Sequence, residues 1–472
     1  MTRNRVLAVL AAAALVAGCS AHQARVVTTD LPAVPPAKDP WIHYTPPPMP
    51  LDPMAIEYVK LVLATGERDP GYVDAYYGPA EWQQEAKAAP PELAAIRARA
   101  ERLVHDLTAL PLFSNESVEN RRDFLQRQTE ALLGRLDMLQ GKKLTFDEES
   151  KVLYGAVAPH YPEQHYAELV AEIAALLPGE GPVNERVDAY QRRFTIPKEK
   201  LDSVFRAAIA ACRERTAAHL QLPPGESFTI EYVTGKPWGG YNWFQGGYKS
   251  LIQVNTDLPI FIDRAIDLAC HEGYPGHHVY NSLLEQHLTR ERGWVEMSVY
   301  PLFSPESLLA EGSANYGVEL AFPRQERIAF EKAQLFPLAG LDPAEADRYY
   351  QLLALKQKLS YAGNEAARRL LDGEIDDDQA VAWLAKYSLT SVERARQRLN
   401  FIKKYRSYVI NYNLGQDLVK AYVEARVRSP HDWRKSFGNT SPVEDREALW
   451  KVFGELLSSP SLPAGLGALP GS

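Results

Sequence analysis

Between Leu268 and Tyr280 the chain carries three histidines and one carboxylate within eight consecutive positions, His271 to His278. A histidine followed directly by glutamate, with another histidine one to two turns on, is what hydrolysis at zinc requires. Two imidazoles hold the ion, and a carboxylate beside them takes a proton from water. His271 therefore reads as a first ligand, Glu272 as a general base and zinc as the cofactor.

The second histidine is ambiguous on spacing alone. On an unbroken helix His278 would project roughly 20° from His271, and His277 about 120° away, so regular geometry selects His278. Pro275, however, has no N–H, and its ring clashes with the carbonyl of residue 271, while Gly276 readily leaves helical φ/ψ. A kink or bulge at Pro275-Gly276 would absorb the two extra residues and bring His277 to the place of the second ligand.

His271-Glu-Gly-Tyr-Pro-Gly-His277 resembles the H-E-x-x-P-G-H signature of a bacterial metallopeptidase-like family, much of it known only as a domain of unknown function and related to the gluzincin zinc peptidases. The family's second motif, E-G-x-A-x-Y-x-x-E, is matched by Glu311-Gly-Ser-Ala-Asn-Tyr-Gly-Val-Glu319, with Ser313 where the family usually has Trp. Weaker likeness extends over roughly residues 55 to 420, through Tyr72 to Pro79, Leu176 to Gly181, Lys236 to Trp238, Val254 to Pro259 and Tyr408 to Gly415. The resemblance implies His277 as second ligand, Glu311 as third, and Tyr412 as a hydrogen-bond donor to the oxyanion. Two histidines, one glutamate and an open position form a catalytic rather than a structural zinc site.

These groups need rigid carriers. Asp257-Leu-Pro259 reads as a helix start that delivers Ile262, Ala265, Ile266 and Ala269 to the core ahead of His271. Asp267, one turn earlier, is a candidate partner for the non-ligating nitrogen of His271. A second helix starts at Ser304-Pro305-Glu306 and runs to Ala321 before Pro323. On it Glu311, Asn315 and Glu319 recur at four-residue steps as one polar stripe, which makes Asn315 and Glu319 further supporting or alternative ligands. Between Pro224 and Pro259, alternation at 227–234 and 246–254 around a Gly/Trp/Tyr-rich loop predicts a small antiparallel sheet beside the metal helix. A peptide could add to such an edge through main-chain hydrogen bonds.

Helical periodicity covers 53–67, 91–110, 117–140, 166–177 and 196–220. The expected organisation is a mostly α, gluzincin-like two-lobed fold, with a helical N-terminal lobe over 55–223, a metal-site lobe over 224–460 and a tail over 461–472. His105, His160, His165 and His219 are isolated and read as surface or capping residues. Cys212 and Cys270 lie in apolar helical patterns and read as buried thiols rather than a disulfide.

At the N-terminus a short basic start precedes an apolar run, Val6 to Ala17, too short to span a bilayer. It ends Leu-Val-Ala-Gly-Cys19-Ser, which resembles a bacterial lipobox: residues 1–18 would be a signal peptide and Cys19 the lipidated first residue. Proline-dense residues 19–54 then form an extended tether. A net charge of −8 with no long basic stripe argues against nucleic acid. The expected function is a lipid-anchored zinc peptidase of the cell envelope acting on peptides. Its alternatives are a lipoprotein that binds metal without catalysis and a two-His, one-carboxylate iron oxygenase. Oligomeric state and endo- or exopeptidase action are not legible.

Overall fold

Helices carry most of the chain, and they begin and end where local chemistry dictates. The Asn115 side chain accepts from the amides of Ser117 and Val118 and starts helix Glu116–Leu139. Thr145 and Glu148 form a capping box on Phe146–Tyr154, which Gly155 ends in the left-handed region at φ 70°. The computed structural model describes residues 26–28, 49–439 and 441–461. Cys19, the leader, most of the tether and the tail from residue 462 lie outside the described residues. Buried apolar side chains from Leu51 to Leu457 form one continuous cluster, with contributions from both sides of position 224.

Among the described residues six strands make two small sheets: β1 Val26–Thr28, β2 Val73–Tyr76, β3 Ser227–Val233, β4 Gly240–Gly246, β5 Lys249–Asn255 and β6 Val299–Pro301. The first sheet has the order β1-β3-β5-β4 and the second pairs β2 with β6. The larger sheet is mixed rather than antiparallel, because β5 runs parallel to β3 and antiparallel to β4. The stretch expected to be a loop supplies β4, and β1 comes from within the stretch read as a tether. Alternation in a sequence shows that a segment is a strand, not which neighbour it pairs with.

The helix before His271 begins later than Asp257. Backbone bonds from Ile196 N to Ile260 O and from Ile262 N to Phe194 O hold residues 260–262 out of a helix. Asp257 instead accepts from the amide of Gly235 at 2.8 Å, and the helix spans Asp263–Leu268. Cys212, on helix Leu201–Ala217, and Cys270 are joined as a disulfide, which corrects the expectation of two free thiols. Both are fully buried as expected. The packing of the two segments brings their Cα atoms to 5.7 Å, within the range a disulfide needs.

Helix Pro305–Ala321 runs through the interior, and only Asn315 and Glu319 along it are not fully buried. It crosses helix Ile410–Arg428 with backbone against backbone. A Cβ on Gly312 would lie 2.3 Å from the carbonyl carbon of Gly415, so neither helix tolerates a side chain there. This contact fixes how Glu311 faces the residues around Tyr408 and Tyr412. Ser304 occupies the N-cap position, but its hydroxyl donates to Pro301 O at 2.7 Å instead of capping.

Glu306, in the first turn of this helix, is 5 % exposed and accepts from Gln128 Nε2 at 3.1 Å. Burial pushes its pKa from 4.5 up to about 8. A carboxyl whose pKa is raised by folding stabilises most below its unfolded pKa and loses that contribution as pH climbs through the folded one. Between pH 4.5 and about 8, each unit should therefore remove roughly 1.4 kcal/mol of stability. Glu306→Gln keeps the shape without the charge. It should match wild type near pH 4.5 and exceed it at pH 8.5 in denaturant melts; parallel curves would show that Glu306 does not titrate in this window.

Candidate metal centre

The helix that carries His271 does not continue through the motif. After Asp263–Leu268 it widens into a π turn over Ala269–Gly273, becomes extended at Tyr274 (φ −120°, ψ 110°), and resumes at His277–Leu284. The break falls at Pro275-Gly276, where the sequence arithmetic required one if His277 were to meet His271. Gly276 is obligatory here, since a Cβ would sit 1.8 Å from the carbonyl oxygen of His271.

Across this break His271, His277 and Glu311 come together, with one ligand atom of each within 4.8 Å of the others. His271 Nε2 lies 3.1 Å and His277 Nε2 3.6 Å from Glu311 Oε2. The two imidazoles meet edge to face, with centroids 4.7 Å apart. Glu311 Oε1 accepts from the Tyr408 hydroxyl at 2.7 Å, whereas the buried Oε2 accepts no hydrogen bond. An orphaned carboxylate oxygen inside a protein is costly, and one at which two imidazole nitrogens converge fits a divalent cation such as zinc. Burial alone would raise the pKa of Glu311, but the close approach and charges of His277 and His271 hold it well below the carboxylate range. Burial would lower that of His271, yet the close approach of Glu311 and the charges of Glu272 and Glu311 push it up to about 9.

The partner of His271 Nδ1 is Asn315, at 2.8 Å, and not Asp267. The Asn315 amide donates to Tyr412 O at 2.7 Å, so its oxygen is the end that accepts from Nδ1–H. With Nδ1–H so engaged, the neutral form of the ring would carry no proton on Nε2, the nitrogen that faces Glu311. Asp267 is taken up by Arg264 and Arg327, at 3.1 and 2.8 Å. Glu319 also stays outside the cluster, held by Gln416 and Lys420 at 2.7 and 2.8 Å. His278 is fully buried on the far side of the helix, with Nε2 3.0 Å from Glu226 and Nδ1 2.9 Å from Ser250 on β5. It ties the motif to the sheet and has no access to the cluster.

Glu272 is 5 % exposed, and its carboxylate has no hydrogen bond among the described residues. Burial raises its pKa, against the opposing charges of His271 and His277. Its main-chain oxygen accepts from Asn242 Nδ2 on β4 at 2.7 Å, anchoring the turn to the edge strand. Glu272, the cluster and β4 all line a cavity of about 1130 Å³. Tyr412 forms part of its wall, with its ring nearly parallel to that of His271 and 6.4 Å away.

Three contributors were not singled out from sequence. Tyr408 holds Glu311, although it lies only four residues before Tyr412 and on the same side of the chain. Asp74 of β2 lines the cavity, is hydrogen-bonded by the Tyr241 hydroxyl, and has its pKa raised to about 8 by burial and by the charges of Glu311 and Glu272. Both lie within stretches quoted above for their family likeness, but their roles depend on tertiary contacts. Arg398, the third, had no sequence signal. His160, His165 and His219 are engaged outside the cluster, His160 with Asp147 at 2.8 Å, His165 stacked on Tyr161 and His219 stacked on Trp450.

No protein-family model matches this chain, and no curated protein is significantly similar to it. Among solved structures it is similar to a "putative lipoprotein" from Colwellia psychrerythraea at 15% identity and a TM-score of 0.43, covering 80% of this chain and 72% of that one. It is similar to a structure called "BsuCP" at 11% identity and a TM-score of 0.42, covering 81% and 86%. A "putative lipoprotein of unknown function" from Shewanella oneidensis follows at 13% and 0.38, covering 79% and 75%. Likeness at these levels carries no argument about mechanism.

Proposed function

We propose that this chain is a zinc-dependent hydrolase, a peptidase that acts on peptides in the cell envelope while held to a membrane by lipid on Cys19. One observation carries the reading: two imidazole nitrogens converge on a carboxylate oxygen that nothing else satisfies, beside a second, unengaged carboxylate facing a large cavity. His271, His277 and Glu311 would hold the ion, which when bound supplies a Lewis acid and lowers the pKa of water.

The remaining work belongs to the chain. Glu272 accepts the proton of the attacking water and returns it to the leaving amine, a shuttle suited to a buried carboxylate whose pKa is raised. Asn315 keeps His271 in the tautomer that can ligate, and Tyr408 keeps Glu311 from rotating. The edge of β4 would offer main-chain groups to an extended substrate, and Tyr412, which lines the same cavity, would donate to the developing oxyanion. The Cys212–Cys270 disulfide suits an oxidising compartment, and among the described residues no helix is long and apolar enough to cross a membrane.

Chelation supplies the test. Purified chain should contain close to one zinc per molecule by mass spectrometry, lose hydrolysis of a mixed peptide library when stripped, and regain it on adding zinc. A chain that cleaves equally well without metal, or that regains activity only with Fe(II) and dioxygen, would overturn the assignment.

A further inference from the structure

Arginines in the cavity wall are, with one exception, already engaged. Arg264 pairs with Asp267, Arg327 with Asp267 and Glu331, and Arg394 donates to Pro259 O. Arg324 donates to Tyr350 O at 3.4 Å. Arg398, on helix Val392–Tyr405, makes no ion pair or hydrogen bond with any described residue. Its guanidinium carbon lies over two aromatic rings, 4.9 Å from the Phe401 centroid and 5.9 Å from that of Tyr412. Stacking on aromatic rings orients the planar group and leaves its N–H edge free. Burial lowers its pKa, with no carboxylate nearby to offset the cost. A guanidinium still stays charged in a protein, so it is a desolvated cation lacking its anion, which is unfavourable until one arrives.

Its position suggests which anion. Tyr412 lies near both the guanidinium and the centre, its ring centroid 6.4 Å from that of His271 and 5.9 Å from Arg398 Cζ. One extended peptide residue spans about 3.3–3.6 Å, so the gap suits one or two residues of a substrate. Arg398 also borders a second cavity of about 650 Å³, and so stands where the main cavity meets a side chamber. Carboxylates match the guanidinium edge in a bidentate pair.

On the basis of the peptidase reading, we infer that Arg398 is an anion subsite receiving the α-carboxylate of a peptide's C-terminus, one or two residues beyond the scissile bond. The enzyme then removes short pieces from C-terminal ends instead of cutting within chains. Arg398 acts as a specificity residue that binds substrate and takes no part in proton transfer.

Calorimetric titration of the metal-stripped chain tests this without relying on turnover. The probes are acetylated dipeptides ending in alanine, leucine or phenylalanine, each as the free acid and as the C-terminal amide, together with an acetyl-alanyl-glutamate amide whose only carboxylate is on its side chain. At least one free acid should bind at least about tenfold more tightly than its amide, as expected for a charge-assisted pair. Arg398→Gln should bring acid and amide within about twofold of each other, and Arg398→Lys, which keeps the charge, should restore part of the difference. The inference fails if wild type binds neither probe of any pair, binds acid and amide alike, or favours the side-chain carboxylate equally, or if Arg398→Gln keeps the preference. Should acid preference persist in a chain that hydrolyses nothing when zinc-loaded, the subsite stands and the peptidase reading falls.

Discussion

Glu272→Gln should retain zinc at wild-type stoichiometry and lower peptide hydrolysis by at least about 10²-fold, the usual cost of losing a general base. The amide has the same shape and still hydrogen-bonds, but it cannot take a proton. Because the Glu272 carboxylate has no hydrogen bond among the described residues, its replacement disturbs no described hydrogen bond of the side chain. Glu311→Gln should behave differently. It removes the only charged ligand and leaves Tyr408 facing a neutral group, so zinc itself should be lost. Metal content and turnover, measured on the same preparations, separate the two variants. Equal cleavage by wild type and Glu272→Gln at equal zinc would remove the base from the mechanism and favour the iron or binding-only alternatives.

For the two adjacent histidines opposite outcomes are expected. His277→Ala deletes one of two imidazoles facing Glu311 and should weaken zinc binding by more than the roughly 10- to 100-fold typical of losing a group that merely supports a ligand. His278→Ala should keep most of the metal and lower thermal stability instead, because it strips a buried partner from Glu226 and Ser250 at a cost of about 1–3 kcal/mol. Competition against a zinc indicator and melting curves read the two effects independently. Metal loss in His278→Ala with retention in His277→Ala would mean that an unbroken helix runs through Pro275-Gly276 in solution.

How much of this was legible depended on how local the determinant was. The start of helix Pro305–Ala321, the polar stripe on it and the break at Pro275-Gly276 rest on residues within a few positions of one another, so sequence could carry them. The choice between His277 and His278 was open on periodicity because the answer turned on how the backbone leaves the helix. The π turn at Ala269–Gly273 changes the angular offsets on which Asp267 had been matched to His271, and its carboxylate is claimed by Arg264, one turn earlier on the same helix, and by Arg327 from a distant segment. Asn315, on the same stripe as Glu311, takes the place instead. Pairings between distant segments were beyond reach: β3 with β5, Gly312 with Gly415 and Tyr408 with Glu311 each require the tertiary fold before the contact can be recognised.

The disulfide has a consequence for the metal. Cys270 and His271 are neighbours on one turn, so the crosslink to Cys212 and the ion proposed at His271 would both favour the same local arrangement. Joining residues 58 apart removes on the order of 4 kcal/mol of freedom from the unfolded chain in a chain-entropy account. Two stabilisers of one conformation are thermodynamically linked, and linkage is reciprocal. By whatever factor the closed disulfide tightened the proposed zinc, bound zinc would make the disulfide harder to open, so each of the two would protect the other.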